Sequence, residues 1–264
     1  MRELGRAMSH GNGASANGIC SDEHGDDKCV GCMMRQLSVC RHLSAAALEE
    51  LKKSANFVTF AKSKLIVEQG EPLENVYFIR SGMVGLHRLL HNGDRRVTGF
   101  LGPGDILSGI KNRNGAYCTA MVISEVVACR FDRQNFISLL QSQSELGVIM
   151  LLTATDEIEA QNDHNILLSR KHVLERLAAF LLIVASRWEH HGQTDTLNLP
   201  ASRADIADYC GLTIESVSRG LTELRSKGVI SMPTKSSIVL ENSVALHDLA
   251  HIDDIPVGRV GVGL

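Results

Sequence analysis

The segment RADIADYCGLTIESVSRGLTELRSKGVI, residues 203–230, constrains the fold of this chain more than any other stretch. The segment reads as two short helices joined by a turn. Small Ala207 in the first helix allows the second to approach closely, and Gly211 supplies the turn between them. Thr213 can cap the second half. The predicted inward face of that second helix consists of Ile214, Val217, Leu221 and Leu224. The pattern predicts a helix-turn-helix.

Four polar residues share the outer face of the predicted second helix: Glu215, Ser218, Arg219 and Thr222. Arg219 can donate two hydrogen bonds to guanine, and Glu215 can accept one from cytosine N4. Since the first turns of such a helix enter the major groove, we expect these residues to read base pairs of double-stranded DNA. Candidate phosphate contacts are Arg203, Arg225, Lys227 and Lys235. The stretch VISMPTKSSIVL, residues 229–240, predicts a β-hairpin wing beside the helix.

The sequence pattern from Phe57 to about Phe136 is typical of β-strands. The runs KLIVEQ, NVYFIR, MVGLHRLL, RRVTGFL and AMVISEVVACRF are rich in β-branched and apolar residues, and QGEP, RSG, HNGD and LGPGD separate them as turn signals. Many short strands at near-regular spacing predict a compact antiparallel roll or barrel. Before this region, residues 42–55 predict a short helix with Ser44 as its N-cap.

Helical periodicity follows the strands. An apolar-to-neutral stripe repeats at steps of three and four through Val148, Leu151, Leu152, Thr155, Ile158, Asn162, Asn165 and Ile166. Such a long stripe favours the seam of a homodimer. The alternative is a helix packed on its own β-domain. A second helix is predicted over about 171–190.

Composition and length indicate a globular, two-domain protein of 264 residues, 44% hydrophobic and 22% charged. The net charge of −3 gives no global attraction to nucleic acid, so DNA binding must depend on a local site. The N-terminus has no signal-peptide core, and the longest apolar run, 177–185, is far short of the roughly 20 residues that span a bilayer. We expect a cytoplasmic protein with no membrane contact. No catalytic motif is recognisable, so we expect no enzyme.

The seven cysteines pose a separate question, because Cys29, Cys32 and Cys40 lie together in CVGCMMRQLSVC. An odd count in a reducing compartment argues against disulfides. The C-x2-C-x7-C spacing suits iron–sulfur clusters and structural zinc, both of which want four thiolates. The fourth ligand could come from Cys20, Cys118, Cys129 or Cys210.

From about residue 40 to 245 the sequence resembles the CRP/FNR family of bacterial transcription regulators. The motifs that carry the resemblance are GEPLENVYFIRSGMVGLHRL, FLGPGDILSG, ERLAAFL and GLTIESVSRGLTEL. It implies an α+β fold with an N-terminal antiparallel β-roll (a double-stranded β-helix or jelly roll), a long dimerisation helix and a C-terminal winged helix-turn-helix. The implied domains are a cysteine-bearing N-terminal segment (1–40), the β-roll (41–145), the dimerisation helix (146–170), the DNA-binding domain (171–250) and a tail (251–264).

The same resemblance implies an activator that binds, as a homodimer, an FNR-type palindrome, TTGAT-N4-ATCAA, and that contacts RNA polymerase. The hairpin LLHNGDRRVTG, residues 89–99, is a candidate for that contact, although a solvated hairpin tip is the simpler interpretation. Members that bind cyclic nucleotides carry a glutamate after the GD turn and an Arg-Ser pair further on. The corresponding segment here, GDILSGIKNRNGAYCTA, has neither, so no cyclic nucleotide is expected.

The resemblance also selects Cys129 as the distal ligand, which makes Cys29, Cys32, Cys40 and Cys129 the expected ligands of an oxygen-sensitive [4Fe–4S] cluster. Cys118 is then expected to line a strand and Cys210 to pack beside the helix-turn-helix. The implied function is oxygen-dependent control of anaerobic or microaerobic genes, with cluster loss weakening the dimer. The alternatives are a regulator of the same fold with zinc or a thiol redox switch, or a sensor of another small ligand.

Overall fold

The computed structural model describes residues 32, 35, 38–108, 115–188, 196–199, 201–234 and 237–250, and within them a large antiparallel sheet precedes a helical region with a small second sheet. The strands of the large sheet are β1 (Asn56–Phe60), β2 (Leu65–Val67), β3 (Asn75–Leu89), β4 (Arg95–Leu101), β5 (Ile106–Leu107) and β6 (Thr119–Asp132). The helices are α1 (Ala45–Ser54), α2 (Arg133–Ser142), α3 (Ser144–Ser169), α4 (Val173–Trp188), α5 (Arg203–Cys210), α6 (Ile214–Ser226) and α7 (Ser243–Ala250). The small sheet contains β7 (Thr196–Asn198), β8 (Ile230–Thr234) and β9 (Ser237–Leu240).

The large sheet forms the predicted antiparallel β-roll, which is confirmed. Its strand order is β1-β6-β3-β4, with β2 paired to β6 and β5 paired to β3. The two long central strands carry most of the interior. The apolar cluster inside the roll consists of Val67, Leu73, Tyr77, Ile79, Val84, Leu101, Leu107, Ala120, Val122, Val126 and Ala128. Burial of these side chains on closely paired strands stabilises the roll.

One predicted turn is wrong. The RSG signal at 80–82 does not end a strand, because β3 continues through it for 15 residues. The pairing of β3 with β6 shifts register around Ser81, and Gly82 has φ +84. A Cβ on Gly82 would collide with the carbonyl oxygen of Glu125. Gly82 supplies the positive φ that this irregularity adopts, and glycine is also common in turns, so the same residue type marks either.

The strand region ends at Asp132, about four residues before its predicted end near Phe136. Residues 133–142 form α2, which is capped by Asp132, whose side chain accepts a hydrogen bond from the Asn135 N–H. Phe136 on this helix is fully buried against Phe78 and Phe131. Among the described residues no single helix is both long and apolar enough to cross a membrane; α2 and α3 reach that criterion only together, across a 112° bend.

The long helix α3 leaves its predicted stripe uncovered within one chain. Val148, Leu151, Ile158 and Ile166 are 58%, 68%, 62% and 53% exposed. The buried residues of α3 lie toward its two ends: Leu146, Ile149, His164 and Leu167. The alternative of a helix packed along its length on its own β-domain therefore does not describe α3.

The C-terminal region forms a winged helix-turn-helix packed on α4. Residues 177–185 of α4 are all buried, as expected for an apolar run in a core helix. The predicted wing is confirmed as the antiparallel pair β8–β9, with β7 joined to β9. Four roll residues, Met83, Val97, Phe100 and Ile123, belong to the same apolar cluster as α4 and the helix-turn-helix. Residues of the roll and of the winged helix-turn-helix thus share this apolar cluster.

Candidate nucleic-acid interface and cysteine site

The turn between α5 and α6 has the predicted construction. Gly211 ends α5 in the left-handed conformation with φ +61, and Thr213 caps α6 by accepting a hydrogen bond from the Ser216 N–H at 3.2 Å. A side chain at Gly211 would be strained by this φ and would press on Arg176 and Leu168. The local sequence therefore fixes where the second helix begins.

The outer face of α6 presents the four predicted base-reading residues, Glu215, Ser218, Arg219 and Thr222, all exposed. Val217, Leu221 and Leu224 are buried, as predicted. The prediction that Ile214 faces inward is wrong: Ile214 is 49% exposed, because it is the first residue of α6 and precedes the turns that meet α4. The exposed face is thus polar, with one apolar residue at its N-terminal edge.

Two side chains on this face are constrained by local hydrogen bonds. The Thr222 hydroxyl donates to the carbonyl oxygen of Ser218 at 2.9 Å. The pKa of Glu215 lies below its ordinary value because of hydrogen bonds from its own backbone N–H and from Thr213, with Arg219 adding to the effect. Glu215 is therefore ionised at neutral pH and is a hydrogen-bond acceptor.

The candidate phosphate contacts occupy different settings. Arg203 is half-buried, its Nη2 lies 3.4 Å from Met232 Sδ, and burial lowers its pKa. Arg225 is exposed near the end of α6, and the Nζ of exposed Lys227 pairs with Glu223 at 2.9 Å. Lys235 lies outside the described residues. Arg225 is therefore a more open cation than Arg203.

Two residues outside the helix-turn-helix donate hydrogen bonds to the carbonyls of its turn, and no sequence pattern predicted either contact. Nε2 of His164 on α3 donates to the Tyr209 carbonyl at 2.9 Å, and its ring stacks on Tyr209 with centroids 3.9 Å apart. Nη1 of Arg176 on α4 donates to the carbonyls of Cys210 and Gly211 at 3.2 and 2.9 Å. Three consecutive carbonyls at the end of α5 are thereby satisfied from α3 and α4.

The structure brings two predicted cysteine ligands to one apolar cluster. Cys40 lies in a 3-10 turn, Val39–Arg41, and Cys129 lies on β6 opposite Phe57 and Phe78. Both pack against the cluster that contains Val39, Leu51, Val76, Phe78, Phe131, Phe136, Leu139, Leu146 and Ile149. Cys32 is buried, whereas Cys29 and Cys20 lie outside the described residues. Within the described ranges no three histidine, cysteine or acidic side chains converge as a metal site.

The remaining two cysteines lie in settings that disfavour thiolates. Cys210 is fully buried beside the helix-turn-helix, and burial raises its pKa to about 12. Cys118, next to the start of β6, is half-buried, and burial raises its pKa as well. A protonated thiol is a poor metal ligand, so neither residue suits that role as it stands.

The segment that carries Cys40 runs along the start of α3. The backbone N–H and the hydroxyl of Ser44 both donate to the Glu145 carboxylate, at 2.8 and 2.7 Å. Burial and Glu159 raise the pKa of Asp156 on α3, while nearby His42 acts in the opposite direction. The 3-10 turn itself contacts α3. The cysteine segment and the long helix are therefore in direct contact.

Comparison with known proteins gives matches over both regions. Residues 175–249 match the family described as a Crp-like helix-turn-helix domain, and residues 57–143 match the cyclic nucleotide-binding domain. The chain is 35% identical over 204 residues to the transcriptional activatory protein AadR of Rhodopseudomonas palustris, covering 76% of this chain and 85% of that protein. It is 32% identical over 231 residues to the nitrogen fixation regulation protein FixK of Bradyrhizobium diazoefficiens, covering 85% and 92%. The solved structure of FixK2 from Bradyrhizobium japonicum matches with a TM-score of 0.67 and 31% identity, covering 74% of this chain and 96% of that one.

Proposed function

Since the chain belongs to the CRP/FNR family of DNA-binding transcription regulators, we propose that it is an oxygen-responsive activator that binds the palindrome TTGAT-N4-ATCAA as a homodimer and carries a [4Fe–4S] cluster. The observation that carries the DNA-binding half is the exposed polar face of α6. The observation that supports the sensing half is the contact of Cys40 and Cys129 with one apolar cluster next to α3.

The chemistry of the α6 face suits the central G·C pair of TTGAT. Arg219 can donate to O6 and N7 of the guanine while the ionised Glu215 accepts from N4 of the paired cytosine. Ser218 can contact a neighbouring thymine methyl or base edge. Because all three side chains are exposed within the first two turns of α6, they can enter a major groove without any unfolding of the helix-turn-helix.

The homodimer is supported by the exposed stripe of α3. Val148, Leu151, Ile158 and Ile166 present an apolar surface that a second copy of the same helix can cover by two-fold symmetry. Two α6 helices related by that symmetry can address half-sites about one helical turn, ~34 Å, apart. Activation implies a contact with RNA polymerase, for which the exposed hairpin tip at Leu89 and Leu90 is the candidate surface.

Cys40 and Cys129, which pack against one apolar cluster, are of the donor type that iron–sulfur clusters use. Cys40 and Cys129 would supply two thiolates, while Cys32 and Cys29 would supply the C-x2-C pair. When bound, a [4Fe–4S] cluster supplies iron that dioxygen can oxidise. The role of the chain is to join the cysteine segment to α3, which Ser44 and Glu145 already do through two hydrogen bonds. No cyclic nucleotide forms part of this proposal, although residues 57–143 match the cyclic nucleotide-binding domain.

The decisive experiment is anaerobic purification with iron and sulfide analysis, followed by DNA binding before and after exposure to air. We expect about four irons per subunit and tight binding to TTGAT-N4-ATCAA only under nitrogen. A duplex with the G·C pair of each half-site inverted is the matched control and should bind weakly in both conditions. A colourless protein with zinc, or equal binding after air exposure, would remove the oxygen-sensing part. Equal affinity for both duplexes would remove the proposed operator.

A further inference from the structure

Two arginines at the start of β4 cross from the roll to the first helix of the helix-turn-helix. Arg95 Nη2 lies 2.7 Å from Asp205 Oδ1, and Arg96 Nη1 lies 3.2 Å from Asp208 Oδ1. Asp205 and Asp208 are three residues apart on α5, so both carboxylates lie on the face directed at the roll. We call these four residues the interdomain clasp.

The carboxylates of the clasp are better shielded from water than its guanidinium groups. The side chains of Asp205 and Asp208 are 13% and 12% exposed, against 46% and 55% for Arg95 and Arg96. The second oxygen of Asp208 accepts a hydrogen bond from the backbone N–H of buried Val97 at 2.7 Å. Asp205 also completes the capping box of α5 with Ser202.

The surroundings of the interdomain clasp increase its contribution to the stability of the contact between β4 and α5. Isolated surface ion pairs contribute little to stability, because water and mobile ions screen them. Here the Phe100 ring packs 5.4 Å from the Tyr209 ring directly across the same contact. Loss of the Asp208 carboxylate would leave the buried Val97 N–H without its acceptor, so the contact resists being broken.

We propose that Asp205 and Asp208 are positioning residues for DNA recognition, which hold α5 against β4 and so fix the orientation of α6 relative to the roll. This inference rests on the proposed function. The clasp does not cover the reading face, because Glu215, Ser218, Arg219 and Thr222 stay exposed while it is closed. A helix-turn-helix that is already held in one orientation loses less rotational entropy on binding a palindrome than one that rotates freely. The interdomain clasp therefore favours operator binding.

The test compares Asp208→Ala with Asp94→Ala. Asp94 also pairs with Arg96, at 3.4 Å, but it belongs to the β3–β4 hairpin and does not cross to the head. Both variants remove one negative charge beside the same arginine. We expect Asp208→Ala to weaken palindrome binding about tenfold and Asp94→Ala by less than twofold, with random-duplex affinity unchanged in both.

A second measurement does not depend on DNA. Hydrogen exchange of the Val97 amide should become about tenfold faster in Asp208→Ala and stay unchanged in Asp94→Ala. Wild-type protein that fails to bind the palindrome would overturn the proposed function, and the exchange rates would still decide the clasp. Unchanged exchange in Asp208→Ala would overturn the clasp alone.

A double-mutant cycle separates the clasp from direct DNA contact by Arg96. The double variant Arg96→Ala/Asp208→Ala should bind the palindrome about as well as the weaker single variant, since both changes remove the same Arg96–Asp208 ion pair. If the two losses multiply and Arg96→Ala lowers the salt slope by about one, Arg96 contacts a phosphate and the proposal is overturned. Tighter palindrome binding by Asp208→Ala would also overturn it.

Discussion

At the scale of single residues, the sharpest prediction about recognition of DNA bases concerns Arg219. Its side chain is exposed on α6, so Arg219→Ala should leave the fold unchanged. We expect a loss of about 1–3 kcal/mol in binding to TTGAT-N4-ATCAA and a weaker preference for guanine, measured by fluorescence anisotropy on wild-type and G-inverted duplexes. The matched control is Arg225→Ala on the last turn of α6, which should weaken both duplexes equally. If Arg219→Ala behaves in that same way, Arg219 binds phosphate instead.

His87 makes a prediction about pH and stability. Its ring is 3% exposed, and neither ring nitrogen has a hydrogen-bond partner among the described residues. Burial chiefly, and Arg95 in addition, lower the pKa of His87, while Asp205 and Asp208 oppose this shift. The unfolded chain therefore binds the proton more readily, so stability is complete above the ordinary histidine pKa and falls as the pH drops below it.

We therefore expect His87→Leu to flatten the pH dependence of the urea midpoint between about pH 7 and 5. The substitution removes two buried nitrogens without partners at similar volume, so stability at pH 7 should be unchanged or slightly higher. Residual slope is expected, because burial also lowers the pKa of His164, although its hydrogen bond to the Tyr209 carbonyl opposes the shift. If the urea midpoint of His87→Leu depended on pH as steeply as that of the wild type, His87 would not be the source of the pH dependence.

At the scale of secondary-structure elements, the exposed stripe of α3 predicts how the dimer can be broken. Leu151 and Ile158 are 68% and 62% exposed in one chain, so Leu151→Glu/Ile158→Glu should not disturb the fold. In a two-helix seam these changes would bury four carboxylates, and the dimer should dissociate at least tenfold more readily. Sedimentation of the anaerobic protein measures this. Val244→Glu, at a 70% exposed apolar position on α7, is the control and should sediment as wild type.

Local sequence was sufficient for elements whose boundaries are set by their own residues. The Thr213 cap, the Gly211 turn and the Ser44 cap are where the pattern predicts them. Helix α2 was missed although Asp132 is a good N-cap, because Phe136 looks equally suited to a strand until its partners Phe78 and Phe131 are known. Turn chemistry at 80–82 was misread for a similar reason, since only the paired strand distinguishes a bulge from a turn.

The contacts that join the helix-turn-helix to the rest of the chain could not be predicted from sequence, because they involve residues far apart in the chain. Arg176 reaches the carbonyls of Cys210 and Gly211, and Arg96 reaches Asp208. Nothing in the local pattern distinguishes these arginines from solvated surface residues. The exposed polar face of α6 was predictable because helical spacing alone places its members together.

At the scale of the whole molecule, the roll, the long helix and the winged helix-turn-helix are in contact with one another, which gives the proposed cysteine sensor a physical route to the α6 face. The Cys40 segment contacts the start of α3 through Ser44 and Glu145. The far end of α3 holds the helix-turn-helix through His164. A change at the cysteine segment that biases α3 packing by a few kcal/mol would suffice to shift a two-state dimer equilibrium.

Cys129→Ala tests this coupling at both ends. Cys129 is half-buried on β6, so its replacement by alanine should leave a folded chain that lacks the fourth thiolate. We expect the anaerobically purified variant to lose most of its iron, to sediment as a monomer and to bind the palindrome no better under nitrogen than in air. Cys118→Ala is the matched control, because Cys118 is half-buried near the same strand and is expected to keep iron, dimer and operator binding. A Cys129→Ala protein that retains about four irons would assign the distal ligand to another cysteine. One that loses iron yet dimerises and binds DNA like the wild type would mean that α3 does not respond to the cysteine segment.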